Sequence, residues 1–74
     1  MKKVSIFLAV GFEEVEAMTP AALLSRAGAE VTLVAVGGRR EVAGSHGIVI
    51  TADRLFSEMD FCDTVLLVIP GGLP

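Results

Sequence analysis

Carboxylates are the most chemically capable groups in this chain. Glu13, Glu14 and Glu16 fall together in Gly11-Phe12-Glu13-Glu14-Val15-Glu16-Ala17-Met18-Thr19-Pro20, directly behind the apolar run Val4 to Val10. A carboxyl group in an apolar setting is disfavoured in its charged form, and the protonated form can donate a hydrogen bond or act as a general acid. At about 100° per residue, Glu16 shares one side of a helix with Pro20, Leu23 and Ala27, which gives it that setting. Glu13 and Glu14 are accounted for as acidic residues in a first helical turn, where the positive end of the helix dipole favours them. Gly71-Gly72, behind a second apolar run, offers backbone amides suited to an oxyanion or phosphate. No Gly-x-Gly-x-x-Gly or Walker pattern accompanies it.

Two further side chains belong to the inventory. Cys62 is the single cysteine and lies in Asp60-Phe61-Cys62-Asp63, where acidic neighbours disfavour the thiolate. It also precedes its strand, at the end away from the proposed site, so it reads as inert. His46 is the one histidine, in the turn Gly44-Ser45-His46-Gly47, with no second ligand spaced to help it hold a metal. Neither a metal nor a cofactor is expected.

The elements that must position these groups follow from hydrophobic patterning. Val4 to Val10 is a short, nearly continuous apolar run, the pattern of a parallel strand covered on both faces. Glu13 to Ala27 reads as a helix ending at Gly28, a residue suited to the left-handed position past a helix. Pro20 is expected to bend or break that helix just after Glu16, because its ring meets the carbonyl four residues back. Glu30 to Val36 is the next strand, giving a right-handed strand, helix, strand crossover. Glu41 to Ala43 and Ile48 to Thr51 flank Gly44 to Gly47 as a hairpin. Asp53 to Asp60 reads as a short helix, and Thr64 to Ile69 as another buried strand ending at Pro70-Gly71-Gly72. The fold class is therefore α/β with a parallel sheet. Ligands in such sheets bind beyond the carboxyl ends of the strands, where Glu16 and the glycine pair fall.

Composition sets the outer bounds. The 74 residues are 53% hydrophobic and only 20% charged. That is more apolar material than a small lone domain easily hides, which implies oligomerisation or packing against further chain. The net charge of −3 argues against nucleic-acid binding, and Lys2-Lys3 and Arg39-Arg40 read as solvated flanks. No run approaches the roughly 18 apolar residues of a membrane span. One cysteine permits no internal disulfide and fits a cytoplasmic protein.

Taken together, Lys2-Lys3-Val4, the block Gly11 to Ala17, Arg26-Ala27-Gly28, Gly44 to Gly47 and Pro70-Gly71-Gly72 occur in the order seen in the DJ-one/PfpI/ThiJ family, which this chain resembles over essentially its whole length. The resemblance implies a flavodoxin-like sandwich of the class I glutamine amidotransferase-like type, incomplete here at its C-terminal side, and a homodimer. It also implies cofactor-free glyoxalase or deglycase activity on a small dicarbonyl or glycated substrate, redox-sensing chaperone behaviour or, in the PfpI branch, peptidase activity. Glu16 matches the family's glutamate beside the reactive cysteine, and Gly72, supported by Gly71, the glycine whose amide faces the developing oxyanion. Arg26 matches a basic residue near the dimer interface and site, and His46 stands where relatives often carry arginine. The family's nucleophilic cysteine follows well after the Pro-Gly-Gly turn, so residues 1–74 correspond to the N-terminal portion of one domain, and the partner they imply is the remainder of that domain.

Overall fold

The computed structural model describes residues 2–72. Four parallel strands form the main sheet: β1 (Lys3–Leu8), β2 (Glu30–Ala35), the two-residue β5 (Arg54–Leu55) and β6 (Thr64–Val68), in the order β5-β2-β1-β6. β1 lies at the centre, with Ile6 opposite Leu33 on one side and Val68 on the other. The hairpin of β3 (Glu41–Ala43) and β4 (Val49–Thr51) stands apart from this sheet, and its antiparallel register places Val42 opposite Ile50.

The helix α1 (Glu14–Arg26) joins β1 to β2 and covers one sheet face. Val4, Ile6 and Leu8 of β1 pack with Ala17 of the helix and Ala35 of β2, flanked by Met18, Ala21 and Leu24. At its far end the chain turns through Gly28, whose φ of +96° only glycine adopts readily. On the other sheet face, Phe7 meets Phe56 and Phe61 at ring-centroid separations of 5.9 and 5.6 Å.

Several expectations are corrected. The helix runs unbroken through Pro20. Proline forgoes the hydrogen bond to the Glu16 carbonyl and its ring crowds that carbonyl, yet the helix continues on both sides of it. The helix face is also rotated from the expected one: Glu14 and Ala17 are buried and Leu24 is partly so, whereas Glu16 is exposed and Leu23 is 58% exposed. Small residues at Ala17 and Ala21 let the helix approach the sheet closely, and that approach decides which of two adjacent apolar lines faces inward. Asp53 to Asp60 is not a helix; it supplies β5 and one 3-10 turn, Phe56–Glu58. β6 is not buried either. It is a sheet edge, with Val65, Leu66 and Leu67 at 59%, 45% and 50% exposure, because no described residue covers it.

Candidate functional site

The chain leaves β1 towards β2 on one side of the sheet, while β6 joins β1 on the other. The carboxyl ends of β1 and β6 therefore form a switch point, where the connections diverge and open a crevice. Three segments meet there. The loop after β1 enters α1, the turn Gly44–Gly47 tips the hairpin, and Pro70–Gly72 follows β6. Backbone bonds lock them together: Gly11 N–H donates to Ala43 O (2.8 Å), Ser45 N–H to Phe12 O (2.8 Å) and Glu13 N–H to Gly71 O (2.7 Å). Phe12 and Gly72 form an isolated antiparallel bridge. A side chain at Gly72 would overlap the Gly11 carbonyl and press on Phe12 Cα, so this approach requires glycine.

Between these segments lies an open groove of about 360 Å³, lined by Glu13, Glu16, Ser45, His46 and Gly72. Glu16 projects from the first turn of α1, and its Oε1 accepts a hydrogen bond from the Gly71 N–H at 2.7 Å. Its other oxygen, Oε2, has no hydrogen-bond partner among the described residues. Gly71 packs so closely on this carboxylate that a Cβ there would approach Oε1 to 2.7 Å. Glu13 caps the helix, its Oε1 accepting from Val15 N–H at 3.0 Å.

Glu14 holds the opposite wall. It is 5% exposed and, with Ser5, one of two buried polar residues among the described residues. Its Oε1 accepts from Ser45 Oγ (3.2 Å) and pairs with His46 Nδ1 (2.9 Å), while Oε2 accepts from the His46 and Ile48 amides (2.8 and 3.3 Å). Burial pushes the Glu14 carboxyl up. The His46 side chain and the amides of Glu14, His46 and Ile48 outweigh that effect and hold it at about 2. His46 is displaced the other way: its hydrogen bond to Glu14, then the charges of Glu14 and Glu13, raise it above its ordinary value of 6.5, against a smaller lowering by burial. A Cβ on Gly44 would collide with the Glu14 carboxyl group, so that glycine makes room for the buried acid.

Ser45 Oγ also lies 3.2 Å from His46 Nδ1. The serine and the acid thus engage the same ring nitrogen, whereas a hydrolytic triad needs them on opposite nitrogens. Glu13, Glu14 and His46 also bring ligand-type atoms within 4.8 Å of one another. Both oxygens of Glu14 already accept from protein donors, and Glu13 accepts from Val15 N–H, so the grouping is accounted for by hydrogen bonds to protein groups.

Glu16, Gly71, Gly72 and His46 come together around this groove. Arg26 is not: it lies in the last turn of α1, at the other end of the helix. Cys62 is exposed before β6, at the amino end of the strand. Its thiol is pushed up by the hydrogen bond and charge of Asp60, with burial adding to the rise. Glu14 and Ser45 were missed. Glu14 could have been found from its spacing, since it continues the row Ala17, Ala21, Leu24 to the helix start.

The model of the DJ-1/PfpI family matches residues 2–74. Protein DJ-1 homolog A of Arabidopsis thaliana is 44% identical over 75 residues, which take in 99% of this chain and 19% of the relative. Among solved structures, oxidized DJ-1 of Toxoplasma gondii superposes with a TM-score of 0.95 at 36% identity, covering 100% of this chain and 40% of that one. A DJ-1 superfamily protein of Salmonella typhimurium, solved as a cysteine-to-alanine mutant, gives a TM-score of 0.92 at 39% identity over 97% of this chain and 39% of its own. The chain therefore spans two-fifths or less of the length of these relatives.

Proposed function

The chain belongs to the DJ-1/PfpI family, and from that premise we propose that it forms the N-terminal portion of a cofactor-free, cysteine-dependent glyoxalase, deglycase or redox-sensing stress protein. The observation that carries this reading is the Glu16 carboxylate, held by the Gly71 amide at the switch point with Oε2 unpartnered among the described residues. A carboxylate so fixed is placed for proton transfer to or from a reacting group.

The nucleophile is supplied by a cysteine outside these residues. Cys62 is unsuited, because its thiol is disfavoured as thiolate and it sits at the opposite end of the strand from the groove. The thiolate attacks a carbonyl carbon of a small dicarbonyl or its adduct. A carbon–sulfur bond forms, the carbonyl π pair moves to oxygen, the Gly72 amide stabilises that oxygen, and Glu16, having taken the proton of the cysteine thiol, passes it to the oxygen. One relative was solved in an oxidized form and another as a cysteine-to-alanine mutant, which is in keeping with a reactive thiol in the family. In the redox-sensing version the same Glu16 stabilises an oxidised sulfinate. The protein acts as a cytoplasmic homodimer, to which Arg26 contributes near the interface.

The test is Glu16→Leu in the full-length protein. Loss of methylglyoxal turnover, thiol reactivity or sulfinate stability supports the assignment. Retention of all three sinks it.

A second reading, a non-catalytic chaperone-like or dimerisation module, is favoured by the exposed apolar side chains Val10, Val15 and Ile69, at 83%, 67% and 78% exposure. An enzyme consumes methylglyoxal without added cofactor. A module protects other proteins from aggregation and consumes nothing.

A further inference from the structure

The groove has a second titratable wall, facing Glu16. His46 is 66% exposed along its side chain, while the carboxylate it meets is 6% exposed. A buried acid thus holds an exposed imidazole. Glu14 Oε1 engages Nδ1, and the backbone N–H of the same histidine donates to Glu14 Oε2, so both ring position and turn position are fixed by one carboxylate. Nε2 lies on the far side of the ring from that contact and is the nitrogen left for a ligand. Three carboxylates bear on the ring's surroundings: Glu14 from the buried face of α1, Glu13 from its cap and Glu16 across the groove. Ser45 Oγ, from the ring's own turn, is the only hydroxyl bonded to it among the described residues.

We propose that His46, oriented by Glu14, is a second proton-exchanging residue of the groove, acting through Nε2 on an oxygen of the bound molecule. The proposal rests on the reading of the groove as a reaction site. With Nδ1–H committed to Glu14, the ring keeps one tautomer and only Nε2 changes state. In the imidazolium, Nε2–H donates to a carbonyl or developing alkoxide oxygen. When the proton transfers, the N–H bond breaks, an O–H bond forms and neutral imidazole remains with Nδ1–H still on Glu14. The exposed ring regains its proton from water. Glu14 is the positioning residue, and its negative charge keeps the imidazolium populated above the ordinary range of histidine.

The experiment combines nitrogen-detected NMR of the His46 ring with pH profiles of methylglyoxal turnover in the full-length protein, its His46→Gln variant and its Glu14→Gln variant. The expected spectra show Nδ1–H in both charge states and Nε2 titrating, with the midpoint falling in Glu14→Gln. The expected kcat/KM of the parent falls with rising pH through the same midpoint. His46→Gln loses that step, and Glu14→Gln moves step and midpoint down together. A step that survives His46→Gln unchanged, or a midpoint that moves without the step, overturns the proposal. If the parent consumes no methylglyoxal, the glyoxalase reading fails and the spectra decide this proposal alone. Retained Nδ1–H supports it, and a neutral ring protonated at Nε2 overturns it.

Discussion

Gly72 lies against Gly11 so closely that the backbone carbonyl of one occupies the place where a side chain of the other would stand. Two glycines separated by most of the chain thereby bring the end of β6 against the loop that starts α1. Gly72→Ala has no flexible neighbour to displace, since the atoms it meets are backbone. The expected result is a loss of about 1–3 kcal/mol of stability, together with a weakened Glu13 N–H to Gly71 O bond. Chemical denaturation and amide exchange at Glu13 measure both. An unchanged unfolding midpoint with unchanged exchange contradicts this packing.

The Glu14–His46 pair makes stability depend on pH in two opposite senses. The Glu14 carboxyl falls from 4.5 to about 2 on folding, so its contribution is complete above 4.5 and disappears as pH drops towards 2. His46 is raised from 6.5, so its contribution is complete below 6.5 and disappears as pH climbs through the raised value. The two share the His46 ion pair, but the amides that hold Glu14 do not depend on the charge of His46. Thermal midpoints of the parent and Glu14→Gln should differ most between 4.5 and 6.5, converge as pH falls towards 2, and narrow only in part as pH climbs through the raised value of His46. An offset that stays constant with pH would locate the stabilisation elsewhere.

β6 offers a direct test of what surrounds it in the longer protein. Leu67 is 50% exposed in this chain. If the remainder of the domain covers it, Leu67→Ala in the full-length protein costs about 2–5 kcal/mol, the range for a buried leucine. A cost near or below about 0.5 kcal/mol, typical of surface substitutions, shows that the strand stays open to solvent.

Cys62 should be a bystander. Its raised thiol predicts slow alkylation by iodoacetamide at neutral pH, and Cys62→Ser should leave turnover within about twofold of the parent, a difference worth roughly 0.4 kcal/mol in the barrier. Rapid labelling at Cys62, resolved by peptide mass mapping, would reverse that assignment.

Much of this architecture is legible in local patterning. The runs Val4 to Val10 and Glu30 to Val36, with a helix and Gly28 between them, define the β1, α1, β2 unit to within two residues at each end. The hairpin around Gly44–Gly47 is equally local, since its turn and alternating strands are adjacent in sequence. What local patterning did not resolve was orientation. Leu23 and Leu24 offer two competing apolar lines, and the choice between them is made by how closely the sheet lets the helix approach. That choice put Glu14 inside and Glu16 outside. The position of Glu16 beside the groove was anticipated from its place beyond a strand end, although the expected burial was wrong. The burial of Glu14 was readable from its row, but its partners, Ser45, His46 and Ile48, were not, because they arrive from a distant turn through tertiary packing.

The central place of β1 also orders the assembly of the molecule in time. Val4 pairs with Val31 and with Leu66, and the second partner is more than twice as far along the chain as the first. Closing the longer loop costs only about 0.7 kcal/mol more by the logarithmic scaling of loop entropy, yet that difference favours β1, α1 and β2 as the nucleus, with β6 docking afterwards. Substitutions in β1 and β2 should therefore slow folding, while those in β6 mainly speed unfolding. The glycine pair follows β6, so Gly71 reaches Glu16 only once β6 has docked on β1. The groove should therefore be absent from chains in which that docking has not occurred.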